Sequence, residues 1–325
     1  MSIMENKNIT VIGTGGVGGY FGFKLCQYIK NLPAYSITLV ARGLTYEAIK
    51  ENGLTLISPE NPGAPVRPDR IIESLEEVEP SDLILICVKE YDLEKVCLAI
   101  RNKISSNTIV IALMNGADIY ERVRKVINTG TYLPCCIYVA SHIKEKGIIE
   151  HKGPTGKIII GRDPENKQAD INWVIDLFRN SGADIILKEN SFVDIWTKFV
   201  FISSFGLVSA RYNKSIGQVC GDASLRERTV RIMEEIQLIA SELKVGLPTD
   251  IVSLTLEKAR SFPYDTPTSL QLDINSKKGD NELELFAGAI IGYGKKLGIE
   301  TNETSQIYSE IRRDVLQILS KDLNH

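Results

Sequence analysis

A glycine-rich turn between a strand and a helix constrains this chain more than any other feature. Asn8-Ile9-Thr10-Val11-Ile12 is a short β-rich run. Gly13-Thr14-Gly15-Gly16-Val17-Gly18-Gly19 follows directly and opens a helical pattern through Tyr28. The spacing Gly13-x-Gly15-x-x-Gly18 in that strand-to-helix context is the fingerprint of a dinucleotide-binding βαβ unit. The first glycine makes the tight turn, the second lets a pyrophosphate approach the backbone, and the third lets helix and strand pack closely. Free N–H groups at the helix start then face the phosphates, so Gly13, Gly15, Gly16, Val17 and Gly18 are the expected cofactor contacts. At the end of the second strand, Ser36–Val40, an NAD site would place an Asp or Glu for the ribose. Here the residues are Val40-Ala41-Arg42-Gly43. A guanidinium suits a 2′-phosphate, so the expected cofactor is NADP(H).

The remaining pattern of the N-terminal half is α/β. Helix 44–52, strand 54–58, a Pro-rich loop 59–68, strand 82–88, helix 91–103 and strand 108–113 follow in order. A helix opens near Tyr120, and strands 134–141, 147–151 and 156–161, helix 168–181 and strand 184–188 complete the half. Continuous Val/Ile/Leu strands alternating with helices predict a doubly wound, mostly parallel sheet covered on both faces. From Ser191 onward the patterns are helical, over 191–211, 222–243, 249–260, 281–297 and 303–321. The expected domains are therefore 1–189, a Rossmann domain, and 190–325, an all-α domain. A chain of 325 residues is long enough for two.

Composition narrows the functional classes. The formal net charge of −3 offers no basic excess for nucleic acid. No stretch approaches the roughly 20 apolar residues needed to span a bilayer, so neither a nucleic acid nor a membrane is an expected partner. The six cysteines form no CxxC pair and read as small buried residues in a reducing cytoplasm. His142, His151 and His325 lack metal-ligand spacing, so no metal is expected. The last helix carries an apolar stripe, Ile307, Ile311, Val315 and Ile318, that suits internal packing or a homodimer contact.

Lys198 stands out chemically. It lies in Phe192-Val193-Asp194-Ile195-Trp196-Thr197-Lys198-Phe199-Val200-Phe201-Ile202, a helix apolar around most of its circumference. Such a helix is buried, and a lysine in it is costly unless paired or put to use in acid–base work. The expected position at the domain junction suits a ligand cleft. Lys89 and Asn115 follow strands, where doubly wound sheets hold their ligands.

These motifs occur in order: the glycine turn, Val40-Ala41-Arg42-Gly43, Cys87-Val88-Lys89, Met114-Asn115-Gly116, Trp196-Thr197-Lys198-Phe199, Thr268-Ser269-Leu270-Gln271-Leu272-Asp273 and Asn281-Glu282-Leu283-Glu284. Together they resemble the ketopantoate reductase family, over nearly the whole chain. The resemblance implies a Rossmann domain followed by a helical domain of the 6-phosphogluconate-dehydrogenase type. It also implies NADPH-dependent reduction of 2-dehydropantoate to pantoate, on the route to pantothenate and coenzyme A. It places the phosphate-contacting arginine at Arg42 and a cofactor lysine at Lys89. Lys198 becomes the catalytic lysine and Ser269 a substrate contact. Asn115 is implied to touch cofactor and substrate, and Glu282 to serve catalysis and the cofactor side. Two asparagines that members carry beyond the lysine are Ile202 and Gly206 here, and a third is Ile216. Ser203, Ser204, Ser209 and Asn213 are the polar residues available to compensate. A reductase of another, more apolar 2-oxo acid is thus the alternative. A non-catalytic NADP(H) sensor is a third reading, which Lys198 and Glu282 oppose.

Overall fold

A computed structural model describes residues 6–276 and 281–322. Asp280, His325 and the side chain of Ile318 lie outside the described residues. The chain divides into two compact units, Met1–Ser191 and Phe192–His325.

The first unit runs β1 (Lys7–Ile12), α1 (Gly16–Ile29), β2 (Tyr35–Val40), α2 (Leu44–Asn52), β3 (Leu54–Ser58), β4 (Asn61–Val66), β5 (Arg70–Ile72), β6 (Leu83–Ile86), α3 (Glu90–Ile100), β7 (Ile109–Ala112) and α4 (Ile119–Arg124). It continues β8 (Thr131–Tyr132), β9 (Cys135–Tyr138), β10 (Ser141–Glu145), β11 (Ile148–His151), β12 (Lys157–Gly161), α5 (Asn172–Asn180) and β13 (Asp184–Lys188). Six strands form one sheet in the order β5-β2-β1-β6-β7-β8, every pair parallel. Successive strands are added outward from β1 on one side and from β6 on the other, and doubly wound sheets bind ligands beyond the strand ends at such a switch point. The central strands are apolar throughout because both faces are covered. Leu83, Ile84, Leu85 and Ile86 of β6 are all buried.

Not all the strands join this sheet. β10-β11-β3-β4 and β13-β12-β9 form two smaller mixed sheets. Helix α1 packs on β2 of the large sheet and on β3, β10 and β11 of the second. Enclosed on both sides, it buries Tyr20, Phe21, Phe23, Leu25, Cys26 and Ile29. The segment read as a Pro-rich loop contains β4, antiparallel to β3. Its prolines fit because β4 is the edge of its sheet, where an absent N–H breaks no ladder.

The second unit runs α6 (Phe192–Tyr212), α7 (Ile216–Gly221), α8 (Ala223–Glu242), α9 (Ile251–Arg260), α10 (Ser269–Asn275), a π turn (Glu284–Gly288), α11 (Ala289–Leu297) and α12 (Asn302–Asp322). Helix α6 touches α7, α8, α9, α10, α12 and the π turn. That central position demands an apolar circumference. It also corrects the expectation that no stretch approaches a membrane span. Phe192–Tyr212 is 21 residues long with a mean hydropathy of 1.4, long and apolar enough to cross a bilayer by length and composition, and 67% of that apolar window is buried. Asp194, Lys198 and Arg211 interrupt the run and hide its length in the sequence. Ile307 and Ile311 of α12 are buried, with Val315 half-buried.

Candidate functional site

The glycine turn sits at the switch point. Cys87 N–H donates to Ile12 C=O at 2.8 Å, so β1 and β6 remain paired to their ends and bring Gly13 against Cys87. Gly13 has φ +92°, and a Cβ there would lie 2.7 Å from the Cys87 carbonyl oxygen. On Gly18 a Cβ would lie 1.9 Å from the Gly13 carbonyl oxygen, and on Gly16 it would lie 2.5 Å from that of Ser141. These glycines are demanded by the protein's own packing. Gly15 differs, because a Cβ there would meet no protein atom within 4 Å. The protein's own packing therefore does not require a glycine at this position. Gly15 is also the N-cap of α1, with no side-chain hydrogen bond to the helix start and no acidic residue in the first turn.

Gly15 opens onto a cavity of about 570 Å³. Gly13 and Thr14 line it from the β1–α1 connection, Ala41 and Arg42 from the β2–α2 connection, and Lys89 and Asp92 from the β6–α3 connection and α3. Cavities of this size hold small-molecule ligands and cofactors. Cys87 also reaches the wall, where burial pushes its thiol far up and keeps it protonated. The open Gly15, the uncapped α1 terminus and Arg42 on the wall fit a dinucleotide, with pyrophosphate at the backbone N–H groups and ribose toward Arg42.

Sequence reasoning did not anticipate the other charges on this wall. Glu73, Glu76, Asp92 and Lys95 all line it. Arg42 Nη2 donates to Asp92 Oδ2 at 2.6 Å. Gly43 N–H donates to Glu73 Oε1 at 2.7 Å. Asp92 lies in the first turn of α3, where a carboxylate faces the positive helix end. Asn115 is half-buried just beyond β7 and is not among the residues lining the cavity.

In the helical unit, Lys198 is half-buried on α6 rather than enclosed. Trp196 anchors this segment, its ring 5.5 Å from that of Tyr293 on α11. Glu282 is only 5% exposed, although Glu284 two residues on is exposed. Glu282 and Glu284 therefore do not share one solvated face. The continuous helix expected over 281–297 contains the π turn 284–288 just after Glu282, a rare geometry enriched at functional sites. Ser269 is the exposed first residue of α10. Its neighbour Thr268 is the N-cap, accepting from Gln271 N–H at 3.3 Å. Because α6 packs against both α10 and the π turn, the segments bearing Lys198, Ser269 and Glu282 gather at one helix.

Of the polar residues available to compensate for Ile202, Gly206 and Ile216, two are used internally. Ser204 Oγ donates to Val200 C=O at 2.7 Å. Asn213 Oδ1 accepts from Gln271 and Asn275, tying the end of α6 to α10. Ser203 and Ser209 keep buried hydroxyls with no hydrogen-bond partner. A Cβ on Gly206 would meet Leu270 at 3.8 Å, and Ile216 is buried. Among the described residues no group of three His, Cys, Asp or Glu side chains is placed to hold a metal ion.

Known proteins resemble this chain over almost all of its length. The family "Ketopantoate reductase PanE/ApbA" matches residues 9–165, and its C-terminal counterpart matches 191–314. An uncharacterised oxidoreductase of Bacillus subtilis, YkpB, is 23% identical over 93% of this chain and 97% of that protein. A 2-dehydropantoate 2-reductase of Mesorhizobium japonicum is 23% identical over 94% of this chain and 97% of that protein. The crystal structure of a ketopantoate reductase from Ralstonia eutropha superposes with a TM-score of 0.85 at 21% identity, covering 96% of this chain and 99% of that one. With both halves of the chain matched, this protein belongs to the ketopantoate reductase family of oxidoreductases.

Proposed function

We propose that the protein is an NADPH-dependent reductase of a small 2-oxo acid, with 2-dehydropantoate as its substrate and pantoate as its product, serving pantothenate and coenzyme A formation. The observation that carries this reading is Gly15, open to a cavity that Arg42 and Lys89 help to wall. When bound, the reduced nicotinamide supplies a hydride to the carbonyl carbon. The protein's own work is to bind, orient and protonate. Backbone N–H groups at the start of α1 hold the pyrophosphate, and Arg42 meets the 2′-phosphate. The Lys198 ammonium donates a hydrogen bond to the ketone oxygen, then a proton as alkoxide charge develops. Glu282 orients that ammonium, and Ser269 donates to the substrate carboxylate.

NADPH oxidation measured over a panel of 2-oxo acids tests the proposal. Ketopantoate is expected to turn over fastest, and no turnover on any member would overturn it. A second reading is favoured by Ile202, Gly206 and Ile216, which offer no hydrogen bond to a substrate hydroxyl. The acceptor is then a branched or aromatic 2-oxo acid, and ketopantoate ranks behind it in the same panel.

A further inference from the structure

We infer that Asp92 sets the nucleotide preference of this site by holding Arg42. The inference rests on the reading that Arg42 meets a 2′-phosphate. Fifty residues apart in sequence, the two side chains share one cavity wall and are joined at 2.6 Å. The Arg42 side chain is 67% exposed and that of Asp92 only 21%. The carboxylate is thus the fixed member of the pair and the guanidinium the movable one. Asp92 is held by the first turn of α3, where its N–H donates to Lys89 C=O at 3.0 Å.

An incoming 2′-phosphate therefore meets a guanidinium already bound to an anion. The phosphate must share the fork or displace Asp92, and while it shares, two like charges stand within a few ångströms. A 2′-hydroxyl has no such conflict. It donates a hydrogen bond, and a carboxylate accepts one. Asp92 thus weakens the phosphorylated ribose and tolerates the plain one. Lys89, Lys95, Glu73 and Glu76 also line the cavity, two cations and two anions. Asp92 is a positioning residue here, because it acts through Arg42.

The test is an equilibrium titration of NADPH, NADH and 2′-AMP at low ionic strength, on the wild type, Asp92→Asn, Arg42→Ala and the double variant. Asn keeps the shape of Asp and removes its charge. Asp92→Asn is expected to tighten NADPH and 2′-AMP about threefold to fivefold and to leave NADH within about twofold, the upper end of the scale of an exposed ion pair. In the Arg42→Ala background the gain should vanish. Equal shifts for NADPH and NADH, no shift, or a full gain without Arg42 would each overturn the inference. If Arg42→Ala alone leaves the NADPH to NADH ratio unchanged, Arg42 does not meet the 2′-phosphate, and the underlying reading falls with the inference.

Discussion

The α carbon of Gly18 stands so close to Gly13 that a Cβ on Gly18 would sit 1.9 Å from the Gly13 carbonyl oxygen. That contact is backbone against backbone, so neither side can rotate away. Gly15, between them, faces open space. One motif therefore holds glycines of two kinds, one required by packing and one that packing leaves open.

Single alanines separate the two kinds. Gly18→Ala should cost about 3 kcal/mol or more, as severe overpacking does, and lower Tm by about 6–12 °C at the usual conversion for a unit of this size. Gly15→Ala should leave Tm unchanged, since its φ of −72° suits alanine. It should weaken NADPH about tenfold, because the methyl occupies the pyrophosphate's path. Thermal unfolding and nucleotide titration read both. A large Tm loss for Gly15→Ala, or none for Gly18→Ala, would reverse the assignment.

Lys198 and Glu282 test the chemistry in the helical unit. Lys198→Ala should lower kcat about 10²–10⁴-fold, the span of general acid catalysis, while nucleotide affinity stays unchanged. Glu282→Gln keeps the shape of a buried side chain and should lower kcat less. Single-turnover reduction followed at 340 nm (the nicotinamide band) measures both. Turnover of Lys198→Ala close to the wild type would remove it from the catalytic role.

Much of this arrangement was legible in the chain itself, for reasons that are local. The strand Asn8–Ile12, the glycine turn and the helix after it are contiguous, and each obeys its own period. What escaped depended on neighbours distant in sequence. β4 reads as a loop because Pro62 and Pro65 argue against a strand, and only its edge position makes them harmless. The Arg42–Asp92 pair needs β2 and α3 to meet beside the switch point, and Asp92 alone reads as an ordinary acid of a first helical turn. The short helices α7 and α10 did leave a signal, since Ser215-x-x-Gln218 and Thr268-x-x-Gln271 each form a capping box.

A charged cluster predicts acid sensitivity in the helical unit. Glu310 accepts from both Nη atoms of Arg228 at 2.9 Å and from Arg211 Nε at 2.8 Å. These hydrogen bonds from Arg228, aided by Gln306 and Arg211, hold the carboxyl at about 2, below its ordinary 4.5. The unfolded chain therefore takes up a proton at a pH where the fold still refuses it. The stabilisation is present above pH 4.5 and is lost as pH falls from there toward 2. Glu310→Gln should lower Tm at neutral pH, because Arg228 is left buried with a weaker partner. It should also flatten the acid limb between those values. An unchanged acid limb would show that Glu310 does not control it.

His151 makes the α/β unit sensitive in a different range. It is 5% exposed, its ring lies 4.6 Å from that of Tyr20, and its Nε2 is buried without a hydrogen-bond partner. Burial, reinforced by the nearby Lys24 ammonium, lowers its pKa from the ordinary 6.5, although a hydrogen bond to the Pro154 backbone opposes the shift. The folded imidazole stays neutral where the unfolded one charges. Below pH 6.5 the unfolded chain thus binds a proton that the fold does not, and stability declines as pH falls from that value. His151→Phe retains the ring and removes the titration. Its Tm should vary less than that of the wild type between about pH 6.5 and 5, while Glu310→Gln behaves as wild type there, because its carboxyl is ionised in both states over most of that range. Melting curves across this range decide the matter. If the His151→Phe and wild-type profiles run parallel, the imidazole is not the group that titrates.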